Sequence, residues 1–144
     1  MTLYADSAYP INKELEAIHS VQFEQLCSPG TWGTASQRIA IVNEGRRVGY
    51  KAGVLEKPGD PGAEPDVKLS EVVRRVVNQL AISPKDIDQT FYLQALEDGL
   101  TDVEYVEILG LVARFTCFDI FARGIGVPLR PLPLPQTGRP SQER

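Results

Sequence analysis

The sequence is poor in the side chains that form disulfides and bind transition metals. It has two cysteines, Cys27 and Cys117, and one histidine, His19. Two cysteines so far apart do not make a disulfide framework, so we expect two free thiols that pack as small apolar side chains. A zinc site would need all three residues to converge with a fourth ligand, so no metal and no cofactor are predicted.

Positive charge is also scarce, because 15 basic residues stand against 19 acidic ones and leave a net charge of −4. Nucleic-acid binders and proteins of anionic membrane surfaces need the opposite excess, so both classes are disfavoured. The sequence has no uncharged apolar run of about 18 residues, the length of a membrane span. The start, MTLYADSAYP, lacks the basic and apolar blocks of a signal peptide, so we predict a cytoplasmic location.

Helix start signals are abundant, and they predict an all-α fold. Thr34 and Thr101 each stand three residues before a Gln or Glu, which is the spacing of a capping box. Ser83 precedes a proline, a pair typical of a first helical turn. The valine-rich run 72–77 could form a strand, but its apolar residues recur at helical spacing. The sequence predicts a compact bundle of about five helices, over residues 11–26, 35–51, 70–81, 84–97 and 101–123.

The last predicted helix is the most informative stretch of the sequence. Within residues 108–122, only Arg114 and Asp119 carry charge. A helix that is apolar on every side must be covered on every side, by its own domain or by another subunit. We therefore expect this long apolar helix to lie at the centre of the bundle. We also expect a homo-oligomer, a dimer or larger, that associates through residues 108–122.

Two segments are predicted to be non-helical. Residues 56–66, EKPGDPGAEPD, combine three prolines and two glycines with four acids, which predicts a mobile loop. Residues 127–135 are rich in alternating prolines and should form an extended polyproline segment whose leucines lie on a surface. We therefore predict a single helical domain over residues 1–135, followed by a flexible tail over residues 136–144.

Two pieces of the sequence carry a family resemblance. LCSPGTWGTASQRIAIVNEGRR, residues 26–47, is similar to a segment PGTWW(T)GxxR(I/V)AI. GLTDVEYVEILGLVARFTCFDIFARGIGVPLRPLPLP, residues 99–135, is similar to a GLSDxxYVEIVGVVA helix ending in ALGxPxxPLP. Both patterns are typical of the alkylhydroperoxidase-related branch of the alkylhydroperoxidase D-like, or carboxymuconolactone decarboxylase-like, superfamily. The resemblance implies that superfamily's all-helical fold and its assembly into oligomers.

The same resemblance implies a redox site that this sequence lacks. Active members carry a C-x-x-C pair followed by a histidine, with a glutamate earlier in the chain, and their cysteines cycle between dithiol and disulfide. The resemblance places Arg38 at the glutamate, Tyr50 and Gly53 at the cysteines and Lys57 at the histidine. No C-x-x-C occurs anywhere, and the one histidine precedes both candidate helices. We therefore expect a diverged member without thiol-peroxidase activity.

Arg114 and Glu107 are the leading candidates for a ligand-binding or proton-handling site, because their spacing places them on one stripe of the last helix, where Gly110 would leave room. We expect Arg114 to be buried and to need an acceptor: Glu107, a carboxylate of another subunit or a small anionic ligand. The alternatives are a structural ion pair and an arginine that reaches solvent. Glu104 and Glu107 could bind a metal, but Glu104 is better explained as the capping-box partner. His19 is a weaker candidate, since a lone histidine more often has a packing or surface role.

Three function classes remain open. The first is a redox-inactive, oligomeric structural or ligand-binding protein, which the missing cysteine pair favours. The second is a decarboxylase-like or peroxidase-related enzyme that uses residues such as Arg114 and Glu107 instead of cysteines. The third is an incomplete domain that another chain completes. Whether Arg114 lines a pocket or a packed interface would discriminate between the first two classes.

Overall fold

Five α-helices and one short 3-10 helix make up the regular structure of residues 2–142, the residues that the computed structural model describes. In chain order these are α1 (Lys13–Gln25), α2 (Ala35–Lys51), α3 (Glu71–Ile82), the 3-10 helix (Pro84–Asp86), α4 (Gln89–Glu97) and α5 (Asp102–Gly124). Only an isolated bridge between Gly62 and Leu132 has β geometry in this part of the chain. The predicted all-α fold is confirmed.

Local capping chemistry explains where the helices begin. Both predicted capping boxes are present, at Thr34 before α2 and at Thr101 before α5. The prediction of one helix over residues 84–97 is wrong. Ser83 and the proline after it start only a 3-10 turn, because Ile87 is extended and α4 begins anew behind the capping side chain of Asp88.

Helix α5 lies at the centre of the bundle and contacts every other α-helix. Its buried side chains pack with those of α2 and the valine-rich α3 in the main hydrophobic cluster. Helix α2 comes so close that a Cβ on Gly45 would lie 2.4 Å from the ring of Phe115. The central position predicted for the last helix is therefore confirmed, and Gly45 is explained by close packing.

The prediction that α5 is apolar and covered all the way round is wrong for the chain by itself. One side of the helix is exposed along its whole length, with Val106 64% and Ile120 59% exposed. The exposed residues at alternating spacings of four and three form what we call the α5 stripe: Val106, Gly110, Ala113, Cys117, Ile120 and Gly124. No described helix has the length and apolar character needed to cross a membrane.

Helix α1 packs against the C-terminal half of α5. His19 and Phe23 are buried against the aromatic rings of Phe118 and Phe121, whereas Ile18 is 54% exposed. The N-terminal segment crosses the same end of α5. There the Tyr4 hydroxyl hydrogen bonds to Nδ1 of His19 at 2.8 Å.

The two predicted irregular segments meet each other. Ala63 donates its backbone N–H to the Leu132 carbonyl at 3.0 Å, and Leu132 donates to the Pro61 carbonyl at 2.9 Å. These bonds anchor the loop 56–66, although it has no large apolar side chain. In the proline-rich segment, Leu129 and Leu132 are buried, whereas Leu134 is exposed. The predicted tail, residues 136–144, lies partly outside the described residues. Gln136 at its start hydrogen bonds to the Cys27 carbonyl.

Candidate functional site

Two of the three predicted site residues line one cavity. Glu107 and Arg114 meet there with Arg38 of α2 and with the turn at Gly30 and Thr31. His19 is not part of this cavity. It lies toward the C-terminal end of α5, packed against the N-terminal segment. The predicted stripe of Glu107, Gly110 and Arg114 thus forms one wall of a site that we call the α2–α5 cavity.

The carboxylate of Glu107 is fully engaged by the protein. Its Oε1 accepts a hydrogen bond from the backbone N–H of Trp32 at 2.9 Å, and its Oε2 accepts one from Gly33 at 2.7 Å. The Nη1 atom of Arg38 lies 3.6 Å from Oε2. Glu107 therefore holds the turn in place.

The sequence PGTWG forms this turn because its glycines allow the backbone to press against charged side chains. A Cβ on Gly30 would lie 2.4 Å from Oε1 of Glu107 and 2.6 Å from Nη1 of Arg38. A Cβ on Gly33 would lie 2.6 Å from Oε2 of the same carboxylate. Trp32 packs against the main hydrophobic cluster and so fixes the turn to the helices. The motif thus builds one rim of the cavity.

Arg38 is the charged residue of the cavity that the sequence did not single out. Its Nη2 donates to the Gln25 carbonyl at 3.1 Å, but its Nε is buried without a hydrogen-bond partner among the described residues. Burial lowers the pKa of Arg38, nearby Glu107 acts in the opposite direction, and the positive charge of Arg114 lowers it further. In the sequence analysis, Arg38 was noted only because it stands where active members of the resembled superfamily have a glutamate.

The prediction that Arg114 is buried is wrong. Arg114 is exposed at the edge of the cavity, and within residues 2–142 it has neither an ion pair nor a hydrogen bond. The prediction failed because apolar residues surround α5 on most sides, so the pattern does not show which side faces the core. The sequence left two alternatives to a buried ligand site: a structural ion pair and an arginine that reaches solvent. The structure shows the second, because the Arg114 side chain is exposed.

The cavity has a volume of about 440 Å³ and an amphipathic lining. Val103, Val106 and Leu111 of α5 supply its apolar wall. Gly110 leaves the centre of this wall open, because a Cβ there would meet nothing within 4 Å. Pockets of about 300–1,000 Å³ with an apolar lining and a few polar groups are typical small-molecule sites.

The buried charge of α5 is Asp119, and its partner comes from α2. Arg46 donates from Nε to Oδ2 at 3.0 Å and from Nη2 to Oδ1 at 2.7 Å. Burial raises the pKa of Asp119, and the two bonds from Arg46 act in the opposite direction. The pair is buried in the core, outside the α2–α5 cavity, so we interpret it as structural.

The two cysteines lie in different environments. Cys27 is buried, and burial raises the pKa of its thiol to about 12, so it stays protonated at neutral pH. Cys117 was expected in the core but is exposed on the α5 stripe, so that prediction is wrong. Both thiols are free.

The carboxylates do not gather into a metal site either. The predicted role of Glu104 is confirmed, since it closes the capping box with Thr101, whereas Glu107 binds the turn. In the part of the chain that the structure describes, no three His, Cys, Asp or Glu residues are grouped so that they could hold a metal ion.

Comparisons with protein-family models, with curated proteins and with solved structures give no match to this chain. The resemblance to the alkylhydroperoxidase D-like superfamily therefore stays a prediction from the sequence. We infer function from the cavity and its residues instead.

Proposed function

We propose that the protein is a ligand-binding protein without redox activity, a diverged relative of the alkylhydroperoxidase D-like superfamily. Its ligand is a small amphipathic molecule that occupies the α2–α5 cavity. The observation that carries the proposal is the cavity itself, where an apolar wall meets the unpaired guanidinium of Arg114.

The chemistry of the sulfur atoms supports the absence of redox activity. Thiol peroxidases need a thiolate and a second sulfur within bonding reach. Here the Cys27 thiol is buried and its pKa is raised. The Cys117 thiol is exposed, on the side of α5 that faces away from the core. Neither Cys27 nor Cys117 lines the cavity.

Filling the cavity tests the proposal. Gly110→Leu should project a side chain into open space without a clash, and it should also improve helix propensity. The matched control is Gly124→Leu, which also adds a side chain in open space on the α5 stripe but lies outside the cavity lining.

The measurement is a ligand-observed NMR screen of small amphipathic fragments against the folded protein and both variants. We expect fragments that bind the unmodified protein and Gly124→Leu but lose binding to Gly110→Leu. If no fragment distinguishes the two variants, the cavity is not a ligand site and the proposal fails.

We also propose that a second copy of the chain covers the α5 stripe. Alternating spacings of four and three residues are those of a coiled-coil seam, and the small residues of the stripe permit close approach of two helices. Asp102 at one end and Arg123 at the other are both exposed, so an antiparallel pair of α5 helices would bring opposite charges together. Val106 and Gly110 belong to both surfaces, so the α5 stripe borders the cavity.

Light scattering after gel filtration tests the pairing. We expect a mass of about twice the 15.9 kDa of one chain, and a single-chain mass for Ile120→Arg. Leu93→Arg, at an exposed leucine of α4, is the control that should keep the larger mass. A single-chain mass for the unmodified protein at high concentration would refute the pairing.

A further inference from the structure

We infer that the ligand of the α2–α5 cavity is a small monocarboxylate with an apolar body, and that Arg38 and Arg114 share its carboxylate group. This inference rests on the proposed function, because it names the chemical class of the ligand at the same site. Its basis is the hydrogen bonds that the two guanidinium groups lack, the charges around them and the lining of the cavity.

Arg38 has donor capacity that the protein does not use. The guanidinium carries five N–H groups. One points to the Gln25 carbonyl, and Nη1 has only a long contact to Glu107, at 3.6 Å. The side chain is 9% exposed, and its Nε is buried without an acceptor among the described residues. Nε is closed off from the cavity, so a ligand would accept from Nη1, whose contact to Glu107 is too long for a hydrogen bond.

Glu107 does not hydrogen bond to Nη1, although its carboxylate lies only 3.6 Å away. Its two oxygens are held by the backbone N–H groups of Trp32 and Gly33. Turning toward Arg38 would weaken the two bonds that hold the turn. A ligand in the cavity can therefore supply the acceptor that Glu107 does not.

Arg114 supplies a second guanidinium at the same cavity. It is exposed, and in the described chain it has no acidic partner. Its charge is close enough to Arg38 to disfavour the protonated form of that side chain. Two like charges beside one cavity repel each other, and a bound anion would relieve this repulsion. Planar carboxylates suit guanidinium groups because each oxygen can accept a separate N–H.

The other lining residues favour a monoanion over a phosphate. Asp102 and Glu107 line the same cavity, so its two arginines are balanced by two acids. A dianion would meet more repulsion from these acids than a carboxylate would. The apolar wall and the volume of about 440 Å³ fit a short aliphatic chain or a single aromatic ring as the ligand body.

Calorimetric titration with matched probe pairs tests the ligand class. Hexanoate and benzoate are compared with hexanamide and benzamide, which have the same shape but no charge. We expect the acids to bind at least about 10-fold more tightly than the amides, because a hydrogen bond to a charged group is worth roughly that factor.

Arg114→Gln should weaken acid binding by about the same factor, and Arg114→Lys by less, since lysine keeps the charge but not the planar fork. Arg74→Gln, at an exposed arginine of α3 outside the cavity, should have no effect.

The outcomes separate this inference from the proposed function. Acids and amides that bind equally, with both lost in Gly110→Leu, would refute the carboxylate while the ligand-binding proposal stands. Failure of all four probes to bind would overturn the inference. Unchanged Arg38 guanidinium Nη–H resonances when benzoate binds would also overturn it, because the shared carboxylate requires a new hydrogen bond at Nη1.

Discussion

The buried ion pair between Arg46 and Asp119 should be the most sensitive electrostatic feature of the fold. The pair joins α2 to α5 through two hydrogen bonds, and its side chains are only 4% and 1% exposed. In Asp119→Ala the guanidinium keeps its charge but loses both acceptors inside the core. Removing one member of such a pair costs about 3–5 kcal/mol in the free energy of unfolding, because the remaining charge is uncompensated.

That loss is large compared with the whole stability of a domain, which is about 5–15 kcal/mol. For a chain of 144 residues it corresponds to a fall in melting temperature of roughly 10–15 °C. The assay is urea denaturation at 25 °C followed by circular dichroism, with thermal melting as a second measurement. Asp98→Ala is the control, because Asp98 pairs with Arg75 at the surface and such pairs contribute only about 0–1 kcal/mol.

Replacing both members of the buried pair separates the cost of desolvating the two charges from the attraction between them. Burial outweighs the hydrogen bonds in setting the pKa of Asp119, and Nη1 of Arg46 has no partner in the described chain. Replacing a whole buried ion pair with hydrophobic residues removes the desolvation penalty together with the attraction, and it is often neutral or stabilising. Arg46→Met combined with Asp119→Leu should then be less destabilising than Asp119→Ala alone. Equal losses for Asp119→Ala and Asp98→Ala would refute the reasoning, as would strictly additive effects in the double variant.

Three further predictions concern the turn, pH and the thiols. Gly33→Ala should cost about 1–3 kcal/mol, because its Cβ would displace a carboxylate that binds two backbone N–H groups, whereas Gly59→Ala, in open space, should be near neutral by thermal melting. Burial lowers the pKa of His19, so the stability that its neutral form contributes should be complete above about pH 6.5 and lost as pH falls through the lowered value. His19→Gln should flatten this slope in urea titrations at several pH values. In the single-chain variant Ile120→Arg, Cys117 should react with a thiol reagent in the folded state, and Cys27 only after unfolding; the reverse order would contradict the assigned burial.

The helices could be predicted from the sequence where their signals are local. The hydroxyl of Thr101 and the carboxylate of Glu104 meet across three residues, so their pairing is independent of the rest of the fold. The same holds for Thr34 before α2. Helix α4 was misjudged because a proline after Ser83 is compatible with a 3-10 turn as well as with an α-helix, and only the extended Ile87 decides between them.

The site could be predicted only in part, because its contacts are long-range. The glycines of PGTWG indicated a turn, but Glu107, which holds the turn, lies 75 residues after Trp32 in the sequence. Its position on one stripe with Arg114 follows from helical spacing alone, which is why the two were predicted together. Arg38 was missed as a partner because nothing near it in the sequence shows that its side chain turns toward α5.

The two charges of α5 have opposite roles, and a comparison of variants makes this testable. Both stand in an apolar stretch, so the sequence alone suggested that Arg114 was the buried one. In the structure Asp119 is buried and fully paired, whereas Arg114 is exposed beside a cavity without a partner. A paired charge in the core contributes to stability, and an unpaired charge at a cavity is available to a ligand. We therefore expect Arg114→Ala and Arg74→Ala to have melting temperatures within about 2 °C of each other, since surface substitutions usually change stability by less than about 0.5 kcal/mol. A markedly lower melting temperature for Arg114→Ala would mean that this guanidinium supports the fold, and it would remove the main reason for placing a ligand beside it.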